Sequence, residues 1–280
     1  MKIQRTHLLK RLDTLYLSYN TSFGNWKNSD HYVNLRGPRG SGKTALILEW
    51  LEQHKHFYFS FAGLDEPMAL RLLGDRLQKY MDEHNLDTLP MDTWEDVFLN
   101  INKLSERTCH IFAFDDADEM LNDSVFSTAF HNYFETQKRR AILMIFVTRV
   151  EKLPEFPPDY TKWTYDEIPI DVPYFSIADL CKCFSNKKGD DLLTLYALTG
   201  GIPKLVHLID ESLSTEENLR NLLSPDSPYI FARMNLTIFS VGAKAICLFA
   251  TPSRSETIVS ATSASSRDLL ITNAISISAL

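Results

Sequence analysis

Cysteine is scarce in this 280-residue chain: Cys109, Cys181, Cys183 and Cys247 are irregularly spaced, and no second pair completes a metal site around Cys181 and Cys183. That excludes a disulfide framework and a zinc module, and leaves thiols in a reducing cytoplasm as the expectation. No apolar run approaches the ~18 residues that a membrane span needs. Met1 to Asp13 scatters charges among its apolar residues rather than setting a basic stub before an apolar stretch, so no membrane association is expected. An excess of basic charge is also missing: 29 Lys and Arg face 36 Asp and Glu, and the net charge of −7 does not favour nucleic acid or anionic lipid. Internal repeats and long low-complexity runs are absent from residues 1–250. The 44% hydrophobic and 23% charged residues are ordinary globular usage, so the body is expected to fold, as about two domains.

Leu8, Leu9, Leu12, Leu15 and Tyr16 recur at helical spacing and predict an N-terminal amphipathic helix that ends before the polar stretch Asn20 to Asp30. Four runs rich in β-branched and aromatic residues then read as strands: Tyr32–Arg36, His56–Phe61, His110–Phe114 and Ala141–Thr148. Helical patterns separate them, clearest in Ala45–His54, Met68–His84 and Trp94–Ser105. A fifth strand is expected near Lys162–Pro169, after the proline-rich loop Pro154–Pro158. This alternation predicts an α/β fold with a mainly parallel, buried sheet. Beyond Pro173 the strand signal fades, and Ile177–Phe184, Leu192–Leu198 and Pro203–Ser212 read as short helices of a small helical domain. A break at Leu223–Pro228 separates a final segment. The expected division is 1–173, 174–228 and 229–280.

Gly37-Pro38-Arg39-Gly40-Ser41-Gly42-Lys43-Thr44 meets the pattern Gly-x-x-x-x-Gly-Lys-Thr between a predicted strand and a predicted helix, the context of a phosphate-binding loop. Glycines let the backbone curl so that successive N–H groups point at phosphates, and the helix dipole adds positive potential there. Lys43 is expected to reach the β- and γ-phosphates and the Thr44 hydroxyl to coordinate Mg²⁺. An ordinary glycine turn is the competing reading. Ile111-Phe112-Ala113-Phe114-Asp115-Asp116 is a buried strand ending in two acids: Asp115 is expected to hold the metal from a second side, and Asp116 to orient or deprotonate an attacking water. A solvated strand end is the alternative. Asp118 and Glu119 compete with Asp116 for its role but are read as caps of the following helix. At the end of the fourth strand, Thr148 and Arg149 are candidates for the γ-phosphate or the attacking water, against the reading of a polar strand end with a surface arginine.

In this order and spacing, the elements resemble the AAA+/STAND group of P-loop ATPases, most closely the prokaryotic family often called archaeal-type ATPases, over residues 3–250. The resemblance rests on Gln4-Arg5 with Leu8, Leu9 and Leu12, on the phosphate loop, on Trp94-Glu95-Asp96, on the acidic strand, on Thr148-Arg149, and on Thr199-Gly200-Gly201-Ile202-Pro203-Lys204, similar to the family's Gly-Gly-x-Pro lid motif. It implies an ASCE-type P-loop NTPase core, a helical lid, and a winged-helix-like C-terminal segment that is partial or divergent. Pro203 is then implied to lie against the nucleotide and couple the lid to nucleotide state, although Gly200, Gly201 and Pro203 also suit plain helix capping. Lys204 is a second phosphate sensor or a solvated lysine.

Two departures limit the resemblance. Where many family members carry Asp-Glu, this chain has Asp115-Asp116, and the shorter side chain retracts the carboxylate by ~1.5 Å. Arg139 and Arg140 precede the fourth strand, so neither is assigned as an arginine finger. C-terminal helices are read at Ala243–Phe249, Ser255–Thr262 and Ser266–Leu280, and after Lys244 this segment has only Arg254 and Arg267 as bases, few for phosphate contacts with DNA. Implied ligands are ATP or ADP with Mg²⁺, and the implied output is a molecular switch acting on an unidentified protein partner. A non-catalytic scaffold or sensor, and a DNA-associated regulator or mobile-element ATPase, are the alternatives.

Overall fold

The computed structural model describes residues 5–21, 32–104, 110–122, 124–136, 142–149, 167–187 and 189–230. The proline-rich loop, Arg139, Arg140 and the C-terminal helices from 231 onward lie outside them. The chain divides into two compact units, Met1–Asn218 and Leu219–Leu280. Helix α1 (Thr6–Thr21) is followed by β1 (Tyr32–Arg36), α2 (Lys43–Leu51), β2 (His56–Ser60), α3 (Glu66–Glu83), α4 (Trp94–Leu104), β3 (His110–Asp115), α5 (Asp118–Leu121), α6 (Val125–Thr136), β4 (Ile142–Thr148) and β5 (Glu167–Asp171). Then come α7 (Ile177–Cys183), α8 (Asp190–Thr199), α9 (Pro203–Val206) and α10 (Thr215–Leu222).

The five strands form one sheet in the order β2-β3-β4-β1-β5, and every pairing is parallel. Buried on both faces, β3 and β4 are apolar almost throughout, as a covered parallel sheet requires. The fifth strand runs to Asp171, beyond the expected end at Pro169. Pro169 is tolerated because β5 is an edge strand paired only to β1, and its carbonyl accepts a bond from Arg11.

Strand pleating sorts the core into two layers. Phe112, Phe114, Met144, Phe146, Phe57 and Phe59 face Trp94, Phe98, Phe126 and Phe130 of α4 and α6, with α3 alongside. Ile111, Ala113, Leu143, Ile145, Val33 and Leu35 face Leu8 and Leu12 of α1 and Ile47, Trp50 and Leu51 of α2. Helices therefore cover both faces. Trp94, read above as part of a recurring motif, is a core residue whose indole N–H donates to Glu66 at 3.0 Å. Asp96 accepts from the Thr93 backbone N–H and hydroxyl at 3.0 and 2.7 Å, closing the first turn of α4.

Among the helices after β5, Gly200 takes a left-handed conformation (φ 60°) at the C-terminus of α8, and Pro203 opens α9, as the capping reading expected. Helix α9 stops at Val206 rather than near Ser212. Its last carbonyls are taken by i−3 bonds from Leu208 and Ile209, and Asp210 then turns the chain by accepting from Ser212. No helix of the described residues is long and apolar enough to cross a membrane.

Candidate functional site

The C-terminal ends of β1, β3 and β4 converge on one cavity. Strand β4 stands between β1, which precedes the loop, and β3, which ends in Asp115. That inserted strand ties both functional loops together: the Thr148 carbonyl accepts from the Gly37 N–H at 3.3 Å, and the Val147 carbonyl from the Ala117 N–H at 3.2 Å.

The loop between β1 and α2 is built from backbone requirements. Gly40 (φ 78°) and Gly42 (φ 84°) occupy the left-handed region that side chains disfavour. Gly37 is needed for another reason: a Cβ there would lie 2.3 Å from the Val172 carbonyl oxygen. Lys43 is buried and donates to the carbonyls of Gly37 and Pro38 at 2.6 and 3.0 Å, so its ammonium lies folded over the loop. The Ser41 hydroxyl is buried with no hydrogen-bond partner among the described residues. A buried hydroxyl of this kind is costly unless something else completes it, and a phosphate oxygen is of the right chemistry.

Asp115 is 2% exposed and held from two sides. Its Oδ2 accepts from the Tyr58 hydroxyl at 2.9 Å and its Oδ1 from the Asp116 N–H at 2.9 Å. Tyr58 reaches it because both side chains share the face of the sheet that carries α2. Burial next to Asp115 and Asp116 pushes the Tyr58 phenol well above its ordinary range, so it stays a donor. Asp116 sits at φ 51°, left-handed for a non-glycine residue, with its side chain exposed at the cavity. Its carboxyl is held above the usual range by desolvation and then by the charge of Asp115, while Arg149 and Lys43 pull the other way. A raised carboxyl is a better proton acceptor near neutral pH.

Asp118 departs from its expected role. The N-cap of α5 is Ala117, without a side-chain cap bond. Asp118 turns instead to β4, where its two oxygens accept from the backbone N–H and the Nε–H of Arg149 at 2.6 and 3.2 Å. Thr148 reaches the cavity wall, but its hydroxyl donates to Asn34 Oδ1 at 2.7 Å, leaving it able to accept from a water.

Lys43, Asp115, Asp116, Asp118, Thr148 and Arg149 line a cavity of about 640 Å³, within the range of small-molecule sites, and Ser41, Asn34 and Tyr58 stand behind its wall. The phosphate-loop residues Arg39, Gly40, Gly42, Lys43 and Thr44 form one wall, and Asp115, Asp116, Thr148 and Arg149 another. Pro203, Lys204 and His207 close a third side. A Cβ built on Gly42 would lie 3.7 Å from Pro203 Cγ, so the lid motif rests directly over the loop. Tyr58, Asn34, His207 and residues 62–64 carried no functional signal in the sequence, and Asp118 was expected to cap a helix rather than to hold Arg149.

No cluster of three or more His, Cys, Asp or Glu side chains forms a closed metal cage among the described residues. Mg²⁺ at phosphate sites rarely has such a cage, being held by one or two carboxylates together with phosphates and water. The donor set of Thr44 and Asp115 is of that kind.

An all-parallel five-stranded sheet, one strand inserted between the loop strand and the acidic strand, and a glycine loop at the N-terminus of α2 define the P-loop NTPase fold, followed here by a small helical region. Solved structures of similar fold include the Walker-type ATPase of Pyrococcus abyssi, at TM-score 0.52 and 16% identity over 78% of this chain and 72% of that one. The Aeropyrum pernix Orc1 protein, solved in complex with DNA, is similar at TM-score 0.51 and 14% identity over 77% of this chain and 63% of that one. No protein-family model and no curated protein sequence matches the chain.

Proposed function

We propose that this chain binds ATP with Mg²⁺ and hydrolyses it slowly, as a cytoplasmic AAA+/STAND-type molecular switch in which nucleotide state moves the helical lid and alters a protein contact. The division into a core (1–173), a lid (174–228) and a C-terminal segment (229–280) belongs to the same reading. One observation carries it: a single cavity gathers the loop lysine, a buried aspartate, an exposed aspartate and the lid proline.

In this reading the loop N–H groups, Ser41 and Lys43 bind phosphate oxygens, with Lys43 exchanging its bonds to the Gly37 and Pro38 carbonyls for the ligand. Thr44 and Asp115 would hold Mg²⁺, which supplies neutralisation of the phosphate charge. Tyr58 fixes the rotamer of Asp115. Asp116 accepts the proton of a water, and Thr148 orients that water through its acceptor lone pairs. Pro203, packed over Gly42, transmits the occupancy of the loop to α9. Slow turnover is expected because Asp116 is short and because no arginine finger is assigned.

Titration with a fluorescent ATP analogue and Mg²⁺, followed by single-turnover hydrolysis, tests the proposal. Lys43→Ala should lose binding at least tenfold, on the order expected for removing a charged hydrogen-bond donor from phosphate. Equal binding by the variant and the parent would sink it. Product formation no faster than in Asp116→Ala would reduce the site to a non-catalytic sensor.

A further inference from the structure

Asp118 is 2% exposed, and both of its oxygens are taken by a single residue. Oδ1 accepts the Arg149 backbone N–H at 2.6 Å, and Oδ2 accepts the Arg149 Nε–H at 3.2 Å. The first bond would be enough to pin the end of β4. The second does something different, because it fixes the plane of the guanidinium. A guanidinium carries five N–H donors in a rigid fork, so occupying Nε leaves four on the two terminal nitrogens. Arg149 lines the same cavity as Lys43, Asp115 and Asp116, on the wall formed by the end of β4. A buried carboxylate facing one arginine carries a desolvation cost, so the pair is weak evidence of added stability.

We propose that Asp118 is a positioning residue that presents the terminal amino groups of Arg149 to the terminal phosphate of a bound nucleoside triphosphate, so that the site distinguishes triphosphate from diphosphate. The proposal rests on the nucleotide-binding reading above. Asp118 itself touches no ligand; it acts only through Arg149.

The test compares the full-length parent, Asp118→Asn, Arg149→Gln and the double variant by calorimetric titration with Mg²⁺-ATP and, separately, Mg²⁺-ADP, with the thermal midpoint of each protein recorded without nucleotide. Asparagine keeps an acceptor for the Arg149 backbone N–H but loses the charged partner of Nε. Asp118→Asn is expected to weaken ATP about tenfold relative to ADP, the scale of one charged hydrogen bond. Arg149→Gln should do the same, and the double variant should lose no more than Arg149→Gln alone. Equal weakening of both nucleotides, or additive losses in the double variant, overturns the proposal. Should Asp118→Asn fail to fold, Arg149→Gln decides alone: an unchanged ATP-to-ADP ratio overturns the proposal. A parent that binds neither nucleotide defeats the underlying reading, whereas a parent that binds both with its ratio unmoved by either variant defeats this inference only.

Discussion

The two faces of the sheet are built from different material. Toward α4 and α6 the strands present phenylalanines, and rings meet both edge-on and stacked: Trp94 and Phe126 are 4.9 Å apart at 87°, and Phe114 and Phe146 are 5.5 Å apart at 23°. Toward α1 and α2 they present Ile, Val, Leu and Ala. Large rings fill the deeper layer beneath three helices. Small branched side chains let α2 sit close, and α2 is the helix whose N-terminus carries the phosphate loop. Alternation along each strand then decides which strand-end groups join the loop. Tyr58 and Asp115 share the α2 face, while Asn34 and Thr148 lie on the other and bond to each other. The faces differ in material: rings pack one layer, while branched side chains pack the other, on which Tyr58 meets Asp115.

That division is most easily broken at Phe126. It packs against Phe61, Trp94, Phe98 and Phe130, so Phe126→Ala should cost about 3–5 kcal/mol. Ile145→Val on the α2 face should cost only about 0.5–1.5 kcal/mol. Urea unfolding of both reads the difference, and equal losses would erase the distinction between the layers.

The next effect is set by pH and belongs to the aromatic face alone. His110 is buried at the start of β3, beside Tyr80 and His84, and burial followed by the charges of His84 and Lys55 lowers its pKa to about 4. Because the unfolded chain takes up this proton near pH 6.5 and the native state does not, stability falls as pH drops from about 6.5 to about 4. The full contribution is up to about 3 kcal/mol, and none is lost above that window. Urea midpoints of His110→Gln, measured at steps between those limits, should show a flatter acid slope than the parent. An identical slope would place the acid sensitivity elsewhere.

The smallest effect is expected where the α2 face meets the cavity. Asp116 occupies a left-handed conformation that Asp tolerates better than longer side chains. Asp116→Glu should therefore cost about 0.5–1 kcal/mol in thermal stability, a cost that comes from the backbone and is absent from Asp116→Gly. If both variants are equally destabilised, backbone conformation does not explain the aspartate at this position.

Much of the site could be read from local pattern. Gly40, Gly42 and Gly200 stand where the chain must turn left-handed, and Asp115 ends a strand whose apolar run announced burial. Pro169 blurs the signal of the fifth strand, which runs over Glu167–Asp171, and the turn at Asp210 ends the helix from Pro203 well before Ser212. Asp118 was misjudged for a different reason: an acid at a helix start looks like a cap, and its real partner lies 31 residues away.

The sequence alone determined the first four strands, the longer helices before the acidic strand, the glycine loop and the acidic strand itself, because each depends on neighbours within a few residues: hydrophobic period, glycine at positive φ, and capping. Tertiary structure decided the insertion of β4 between β1 and β3, the partnership of Tyr58 with Asp115 and of Asp118 with Arg149, and the seating of Pro203 over Gly42. Those contacts join residues 31 to 161 positions apart, and only strand order and packing bring them within bonding distance.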